Sequence, residues 1–332
     1  MSKRKRRKPL PGPVDSIAIE SLSHDGRGVA HLDGKAVFID GALPGETVGF
    51  EYLATRRSFD EGRATAIHTA SPDRVTPGCP HFGVCGGCSL QHLSPGAQLA
   101  AKQDILLENL ARIGGVTATA VLPPLTGPVR GYRNKARLGV KDVQKKGRVL
   151  VGFREKRASF LADLTRCDVL HPVVGERIES LARLIESLDA RARIPQIEVA
   201  VSDAATALVF RHLDALSEAD EARLAAFADA SDIHVWLQSG GPDTVRPLAP
   251  VDSVLGYRLP EQDIEIRFLP GDFTQVNPVI NEQMVARVLD MLELTGADHV
   301  LDLFCGLGNF TLPMARQAGA VTGVEGEEGL VS

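Results

Sequence analysis

Residues 300–309 decide the fold of the last part of the chain, and they read Val300-Leu301-Asp302-Leu303-Phe304-Cys305-Gly306-Leu307-Gly308-Asn309. An apolar strand that runs directly into a glycine turn is typical of the start of a nucleotide-binding βαβ unit. A helical stretch and a second apolar strand, residues 320–324, follow, and Glu325 stands at the end of that strand. The sequence therefore predicts that residues 269–332 begin an α/β, Rossmann-like domain.

The glycine turn favours one class of cofactor over another. Gly306 and Gly308 would let the backbone approach a bound molecule closely, and Glu325 is placed to accept hydrogen bonds from two ribose hydroxyls. The dinucleotide fingerprint expects a third glycine where Thr311 stands, so the turn fits NAD less well. S-adenosylmethionine (SAM) has no pyrophosphate, and a short turn followed by the polar Asn309 suits it better. A turn that binds nothing is the alternative.

The segment before this unit carries further polar candidates. Asn277 and Pro278 predict a helix start, because Asn caps helices and Pro suits their first turn. Gln275, just upstream, would lie at the cofactor edge. Along the predicted helix, apolar residues recur at fourfold spacing, at Ile280, Met284, Val288 and Leu292. Cys305 is interpreted as a small residue that fills the turn rather than as a catalytic thiol.

Four of the five cysteines have a spacing that is typical of a metal centre. Three lie within ten residues, spaced CxxxxxCxxC, and one follows after 78 intervening residues, giving the predicted ligand set Cys79, Cys85, Cys88 and Cys167. Thiolates bind zinc as well as iron–sulfur clusters, and His81 or His92 could replace a thiolate at zinc, so both metals stay open. Unligated core cysteines are a further alternative. Disulfides are disfavoured because five cysteines in 332 residues suit a reducing cytoplasm.

The composition indicates an ordinary globular chain with mass for two or three domains, since 44% of its 332 residues are hydrophobic and 24% are charged. No apolar run approaches the roughly 18 residues of a membrane span, so no membrane association is expected. The net charge of −5 hides a basic cluster at residues 3–8. Residues 1–12 are predicted to be a disordered basic tail, which also suits loose phosphate contacts.

Strand and turn signals divide the rest of the chain into domains. Short strands with Asp-Gly turns over residues 13–71 predict a small OB-like β-barrel. Ser94 is the predicted N-cap of a helix that extends to residue 113. Alternating patterns over residues 72–93 and 127–268 predict a central α+β domain with a mostly antiparallel sheet.

Five short motifs accompany the four cysteines in order along the whole chain: residues 26–30 (GRGVA), 41–46 (GALPGE), 132–137 (YRNKAR), 273–277 (FTQVN) and 301–310 (LDLFCGLGNF). Each motif alone is modest, but their conjunction is specific. Together they resemble the TRAM-domain, iron–sulfur RNA (uracil-5)-methyltransferase family. Within it, the similarity is greatest to the members that methylate C5 of uracil in 23S ribosomal RNA.

The resemblance carries expectations about cofactors and partners. It implies a [4Fe–4S] cluster on Cys79, Cys85, Cys88 and Cys167. It implies SAM contacts from Gln275, Phe304, Asn309 and Glu325. It also implies that the TRAM barrel and the central domain hold RNA, and that residues 94–126 form a helix packed on the methyltransferase domain. Transfer RNA relatives generally lack the barrel and the cysteines, so 23S ribosomal RNA is the favoured substrate of a monomeric, cytoplasmic protein.

No catalytic residue is assigned by the resemblance. Uracil C5 is a poor nucleophile, so a thiolate must add at C6, C5 then takes the methyl group, and a base removes the C5 proton from a uracil that has left its stack. The family motifs that supply these groups have no counterpart before Ser332. The chain is therefore interpreted as truncated and as inactive on its own. A non-catalytic RNA-binding iron–sulfur protein is the alternative, and an NAD-dependent oxidoreductase rests on the glycine turn alone.

Overall fold

The computed structural model describes residues 9–330. The chain divides into two compact units, Met1–Pro124 and Leu125–Ser332. Most of the predicted basic tail, residues 1–8, lies outside the described residues. Within the described range, no helix is both long and apolar enough to span a bilayer.

The first unit contains a closed six-stranded sheet made of β1 (Val14–Ala18), β2 (Ser21–Leu22), β3 (Gly28–Leu32), β4 (Lys35–Asp40), β5 (Thr47–Thr55) and β6 (Phe59–Thr69). The hydrogen-bonded order is β1-β5-β6-β4-β3-β2, and only β4 and β6 pair in parallel. The two outer strands, β1 and β2, are consecutive and separated by only Ile19 and Glu20. Both edges must therefore meet, and the sheet curls into a barrel around Ala30, Ile39 and Phe50.

A buried carboxylate ties the barrel to the residues that follow it. The Glu46 side chain is fully buried and accepts hydrogen bonds from Arg74 Nε (2.5 Å) and from the Ser71 amide (3.1 Å). Leu93 packs with apolar side chains of the same unit. These contacts place residues 72–93 in one compact unit with the barrel, whereas the sequence analysis grouped them with the central domain.

Helix α1 (Pro95–Arg112) closes the first unit. The hydroxyl of Ser94 accepts the Ala97 amide at 3.4 Å, which confirms the predicted N-cap. Ala97 and Ala101 pack against the buried Leu43 and its leucine neighbours. The packing of this helix on the methyltransferase domain stays a prediction.

The second unit is built on a six-stranded sheet with short helices. Its elements are β7 (Lys135–Val143), β8 (Arg148–Gly152), α2 (Pro172–Gly175), α3 (Ile178–Ser187), β9 (Gln196–Val201), β10 (Thr206–Arg211), α4 (Glu218–Ser231), β11 (His234–Gln238) and β12 (Val245–Ala249). The strand order is β12-β11-β10-β9-β7-β8, and only β10 and β11 are parallel. The expected, mostly antiparallel sheet is therefore confirmed. Helix α3 packs on β8, and α4 packs on β11 and β12.

The same unit continues into a hairpin, a helix and a βαβ unit: β13 (Leu255–Leu259), β14 (Ile264–Phe268), α5 (Pro278–Leu292), β15 (His299–Leu303), α6 (Thr311–Met314) and β16 (Ala320–Val324). Strands β15 and β16 pair in parallel, as the sequence predicts for a nucleotide-binding unit. A shared core of Leu259, Val285, Leu289 and Met314 joins the hairpin, α5 and the βαβ unit.

Helix α5 begins as predicted but buries a different face. Asn277 Oδ1 accepts the Ile280 amide at 3.2 Å, so the predicted cap is confirmed. The buried residues are Asn281, Val285 and Leu289, one position away from the apolar row that runs from residue 280 to 292. Burial of a polar residue on this face needs a specific hydrogen-bond partner, and Asn309 in the glycine turn provides it.

Candidate cofactor site

The glycine turn between β15 and α6 is held by backbone hydrogen bonds. The amides of Phe304 and Cys305 both donate to the carbonyl of Val324, at 2.7 and 3.1 Å. Gly306 has a φ of 55° and Gly308 a φ of 87°, the left-handed region in which glycine is favoured. The turn therefore has the tight path that the sequence predicts.

Phe304 enters the turn in a conformation that is rare for its residue type. Its φ is 61°, and its side chain is 88% exposed. A non-glycine residue in this region stores about 1–3 kcal/mol of strain, and such residues cluster at ligand sites. The exposed ring gives the turn a flat apolar surface that an adenine or another planar group could stack on.

Glu325, at the end of β16, contacts the turn directly. Its Oε2 accepts the Gly306 amide at 2.9 Å, and its Oε1 accepts the Gly326 amide at 2.7 Å and the Glu327 amide at 3.2 Å. The hydrogen bond from Gly306, followed by those from Gly326 and Glu327, lowers the pKa of Glu325. A carboxylate has about four acceptor positions, so an ionised Glu325 keeps one for a ribose hydroxyl.

Asn309 lies in a polar network beneath the turn. Its Oδ1 accepts hydrogen bonds from Asn281 Nδ2 and from the Tyr257 hydroxyl, each at 2.9 Å, and its Nδ2 donates to Asn281 Oδ1 at 2.9 Å. Both acceptor positions of this carboxamide are therefore used, while one N–H is left. Asn309 can offer a cofactor a hydrogen-bond donor but no acceptor.

Tyr257 supplies the third member of this network from the β13–β14 hairpin. Burial raises the pKa of Tyr257 to about 12. The hydroxyl therefore stays protonated at neutral pH and can donate to Asn309 without interruption. The network consequently joins three separate elements of the second unit: the hairpin, helix α5 and the glycine turn.

Gln275 stands on a loop that the central sheet anchors. The Asn134 amide donates to the Val276 carbonyl at 2.9 Å, and Lys135 Nζ donates to the Pro270 carbonyl. Burial lowers the pKa of Lys135, while the charges of Glu198 and Asp272 act against this shift. The Gln275 side chain is exposed.

A small pocket brings Gln275 together with the polar network. Gln275 and Thr274 line it from the loop, and Tyr257 and Asn281 line it from the network. The predicted edge residue therefore lies close to the residues that hold Asn309.

Cys305 packs inside the turn. A Cβ atom placed on Gly323 of the neighbouring strand β16 would lie 2.9 Å from Cys305 Sγ. The thiol thus fills the space that the missing side chain of Gly323 leaves. This contact supports the interpretation of Cys305 as a turn residue.

Three predicted metal ligands lie in the first unit, on a loop rich in turns. The Cys79 amide donates to Gln91 Oε1 at 3.2 Å, and the Gly87 amide points at Cys85 Sγ at 3.4 Å. Gly83 has a φ of 91°, which favours glycine. Cys79, Cys85 and Cys88 are half-buried and are not in disulfides.

The fourth predicted ligand, Cys167, lies in the second unit. Its amide donates to the Gly175 carbonyl at 2.9 Å, and a Cβ atom on Gly175 would stand only 2.3 Å from the Cys167 carbonyl oxygen. Across the residues that the structure describes, no three or more His, Cys, Asp or Glu side chains are grouped so as to hold a metal ion. The metal site therefore stays a prediction.

Two functional candidates, Tyr257 and Asn281, were missed by the sequence analysis. Asn281 lies one position outside the apolar row of helix α5, so the sequence pattern gave no signal for it. Nothing in the local sequence around Tyr257 indicates its partner, which lies 52 residues away in the chain.

Two family models match this chain. A model described as TRAM domain matches residues 11–49, which form the first strands of the barrel. A model described as tRNA (Uracil-5-)-methyltransferase matches residues 189–327, which include the candidate cofactor site. The prediction of several domains with an N-terminal TRAM domain is therefore confirmed.

Curated relatives resemble the chain over nearly all its length. Proteins named 23S rRNA (uracil(1939)-C(5))-methyltransferase RlmD from Alcanivorax borkumensis and Methylococcus capsulatus are each 54% identical to it, over 98% of this chain and 74% of the relative. The protein of the same name from Nitrosococcus oceani is also 54% identical, over 100% of this chain and 74% of its own length.

A solved structure shares the fold. The Pyrococcus abyssi tRNA (uracil-54, C5)-methyltransferase in complex with S-adenosyl-L-homocysteine matches 95% of this chain and 74% of its own, with a TM-score of 0.69. The sequences are 21% identical, so the likeness concerns the fold.

Proposed function

Because the chain belongs to the RNA (uracil-5)-methyltransferase family, we propose that it serves the SAM-dependent methylation of uracil C5 in 23S ribosomal RNA. One observation carries the proposal. The carboxylate of Glu325 contacts the amide of Gly306 in a glycine turn that also presents the exposed ring of Phe304. An acid, a close backbone and an aromatic face are what an adenosine group needs for binding.

Bound SAM supplies an electrophilic methyl group, and the residues of this chain hold and orient it. Glu325 would accept a hydrogen bond from a ribose hydroxyl, and Phe304 would stack on the adenine. The remaining N–H of Asn309 would donate a hydrogen bond to an acceptor atom of the cofactor. Gln275 offers both a donor and an acceptor from the opposite loop. Tyr257 and Asn281 fix the position of Asn309 from below.

We assign the RNA to the barrel and the central domain, and we assign no catalytic nucleophile or base. Support for the RNA role comes from the TRAM match over residues 11–49 and from the names of the relatives. Cys305 is not offered as the nucleophile, because its thiol packs against Gly323.

We also propose a [4Fe–4S] cluster on Cys79, Cys85, Cys88 and Cys167. The donor chemistry fits, since all four residues are cysteines outside any disulfide and the Gly87 amide is directed at Cys85 Sγ. Iron and acid-labile sulfide, measured in protein purified without oxygen, should each approach four per chain. A content below one iron per chain, or stoichiometric zinc, would exclude the cluster.

Binding of the cofactor is the first test, because it does not require turnover. Titration calorimetry with S-adenosyl-homocysteine should give a binding curve that Glu325→Ala and Phe304→Ala each weaken by at least tenfold. Glu265→Ala, at an exposed position on β14, is the matched control. Binding of NAD in place of the adenosyl ligand would refute the proposal.

Methyl transfer is the second test. Labelled SAM and 23S ribosomal RNA that lacks the modification are incubated with the protein, and the product nucleoside is identified by mass spectrometry. Methyl label on an atom other than uracil C5 contradicts the proposed reaction. The chain spans about three quarters of the length of the curated relatives, since the matched region covers 74% of the Alcanivorax borkumensis protein.

A further inference from the structure

Positive charge is concentrated in one stretch of the second unit. Residues 130–166 contain twelve Lys and Arg residues and three Asp and Glu residues, a formal charge of +9 in a chain whose net charge is −5. A local excess of this size attracts polyanions. The stretch covers strands β7 and β8 and the loop that follows β8.

That loop is a hairpin formed by residues 153–162, which we call the basic hairpin. The Ala162 amide donates to the Phe153 carbonyl and the Glu155 amide to the Phe160 carbonyl, both at 2.9 Å, and Arg154 pairs with Leu161 as a β-bridge. These bonds fix the two arms of the hairpin as an antiparallel pair.

The base of the basic hairpin is packed into the unit. Ala162 is 1% exposed, and Leu161 lies so close to Gly139 that a Cβ atom there would stand 2.7 Å from its side chain. Phe153, at the start of the hairpin, has the guanidinium of Arg133 5.9 Å from its ring centre. The base of the basic hairpin therefore packs against the central sheet.

The basic hairpin carries an exposed aromatic ring and two exposed arginines. Phe160 is 72% exposed, whereas the neighbouring Ala162 and Leu164 are buried. Arg154 and Arg157 are exposed on the same hairpin, and Arg157 has a φ of 59°. A non-glycine residue with positive φ is strained, and strain of this kind occurs at binding sites.

From these observations we infer that the basic hairpin binds an unpaired segment of RNA, with Phe160 stacked on a base and Arg154 and Arg157 on the flanking phosphates. An exposed aromatic side chain next to cations is the arrangement by which proteins hold single-stranded nucleic acid. An acidic peptide would use the cations but would leave the ring without a partner. The inference rests on the proposed function, since it names the surface that takes the RNA.

Fluorescence gives a direct test of stacking. The chain contains one tryptophan, Trp236, which is buried, so Phe160→Trp adds a single exposed indole. A single-stranded fragment of 23S ribosomal RNA should quench the added emission. An abasic oligonucleotide of equal length and charge, and polyglutamate, should leave it unchanged. Equal quenching by all three would overturn the inference.

Affinity gives an independent test with matched controls. Phe160→Ala should weaken binding of the RNA fragment about 5- to 150-fold, the range for loss of one base–aromatic stack, and Phe160→Tyr should restore it. Arg154→Gln and Arg157→Gln should each lower the slope of log affinity against log salt by about one. The controls are Leu213→Ala and Arg112→Gln, both at exposed positions elsewhere.

The outcomes separate the two proposals. If the chain binds the fragment and every hairpin variant binds like the parent, the hairpin inference is wrong and the proposed function stands. If the parent chain binds no ribosomal RNA, both are wrong.

Discussion

The carboxamides of Asn281 and Asn309 form a reciprocal pair in which each side chain donates to the other at 2.9 Å. One partner lies on helix α5 and is 4% exposed, and the other lies in the glycine turn. Since neither amide has water to replace its partner fully, the pair fixes the turn relative to the helix. Residues that never touch a cofactor can thereby determine the geometry of its site.

Asn281→Ala should lower the free energy of unfolding of the second unit by about 1–3 kcal/mol, because it leaves the half-buried Asn309 amide without its partner on α5. Denaturant titration followed by Trp236 fluorescence reports on this unit, since Trp236 is the only tryptophan. Asp290→Ala, at an exposed position of the same helix, should change stability by less than about 0.5 kcal/mol. Equal effects of the two variants would show that the pair has no structural role.

Tyr257→Phe should have a smaller effect, about 0.5–1.5 kcal/mol, because it removes one neutral hydrogen bond and keeps the ring in place. The affinity for S-adenosyl-homocysteine should fall as well if Tyr257 orients Asn309. Loss of stability with unchanged affinity would assign Tyr257 to the fold alone.

The alkaline titration of Tyr257 gives a prediction about pH. Burial raises its pKa to about 12, above the value near 10 of an unfolded tyrosine. The folded state therefore holds this proton longer, and the free energy of unfolding should fall as pH rises from about 10 towards 12. The difference in absorbance at 295 nm between the parent and Tyr257→Phe should show one phenol titrating in this late range. A difference spectrum that titrates near pH 10 contradicts the burial argument.

Phe304 should separate stability from binding. Phe304→Gly removes the strained left-handed conformation at an 88% exposed position, so it should not lower thermal stability. Phe304→Val should lower stability, since β-branched residues tolerate positive φ poorly. Both variants should bind S-adenosyl-homocysteine more weakly, because the aromatic face is gone. Calorimetry that finds parental affinity for Phe304→Gly would remove Phe304 from the cofactor site.

Glu46 should be the most sensitive charged residue of the barrel. Its buried carboxylate pairs with Arg74, and Glu46→Gln should destabilise the first unit by about 3 kcal/mol because the guanidinium loses its charged partner. Glu51→Gln breaks an ion pair with Arg63 on the barrel surface and should change stability by about 1 kcal/mol or less. Circular dichroism during denaturation measures both variants, and an equal loss for the two contradicts the assignment.

Acid should erase the difference between the parent and Glu46→Gln. Burial raises the pKa of Glu46, but the hydrogen bonds from Arg74, Ser71 and Leu43 outweigh it, so the pKa lies below the usual value. The stabilisation is then complete above the unfolded pKa of about 4.3 and is lost as pH falls through the lower folded value. The stability difference between the parent and Glu46→Gln should be smaller at pH 3 than at pH 6, and an equal difference at the two pH values would exclude ionised Glu46 as the cause.

Local chemistry explains which features the sequence predicted. The caps at Ser94 and Asn277, and the glycine turn at residues 306–308, follow from signals within a few residues, and the structure confirms each of them. The buried face of α5 could not be read in the same way. Asn281 lies one position outside the apolar row that the sequence shows, and its burial depends on a partner, Asn309, 28 residues further along the chain.

The metal ligands show a different limit. The spacing of Cys79, Cys85 and Cys88 predicts that these thiols bind one metal centre, but spacing alone does not choose between zinc and an iron–sulfur cluster. The requirement for glycine at position 175 is also visible only in the structure. There, a Cβ atom on Gly175 would collide with the carbonyl oxygen of Cys167.

Closure of the barrel by β1 and β2 has a consequence for self-association. A closed sheet offers no free strand edge to another copy, and in the central sheet β12 carries Pro247, while the Val149 amide of β8 is taken by Glu186. Within the described residues, the sheet of β15 and β16 is not closed, and its strands carry no proline. Leu301 and Leu303 on β15 are 61% and 57% exposed. Aggregation of the purified chain should therefore start at this sheet, and a charge at Leu301 should suppress it.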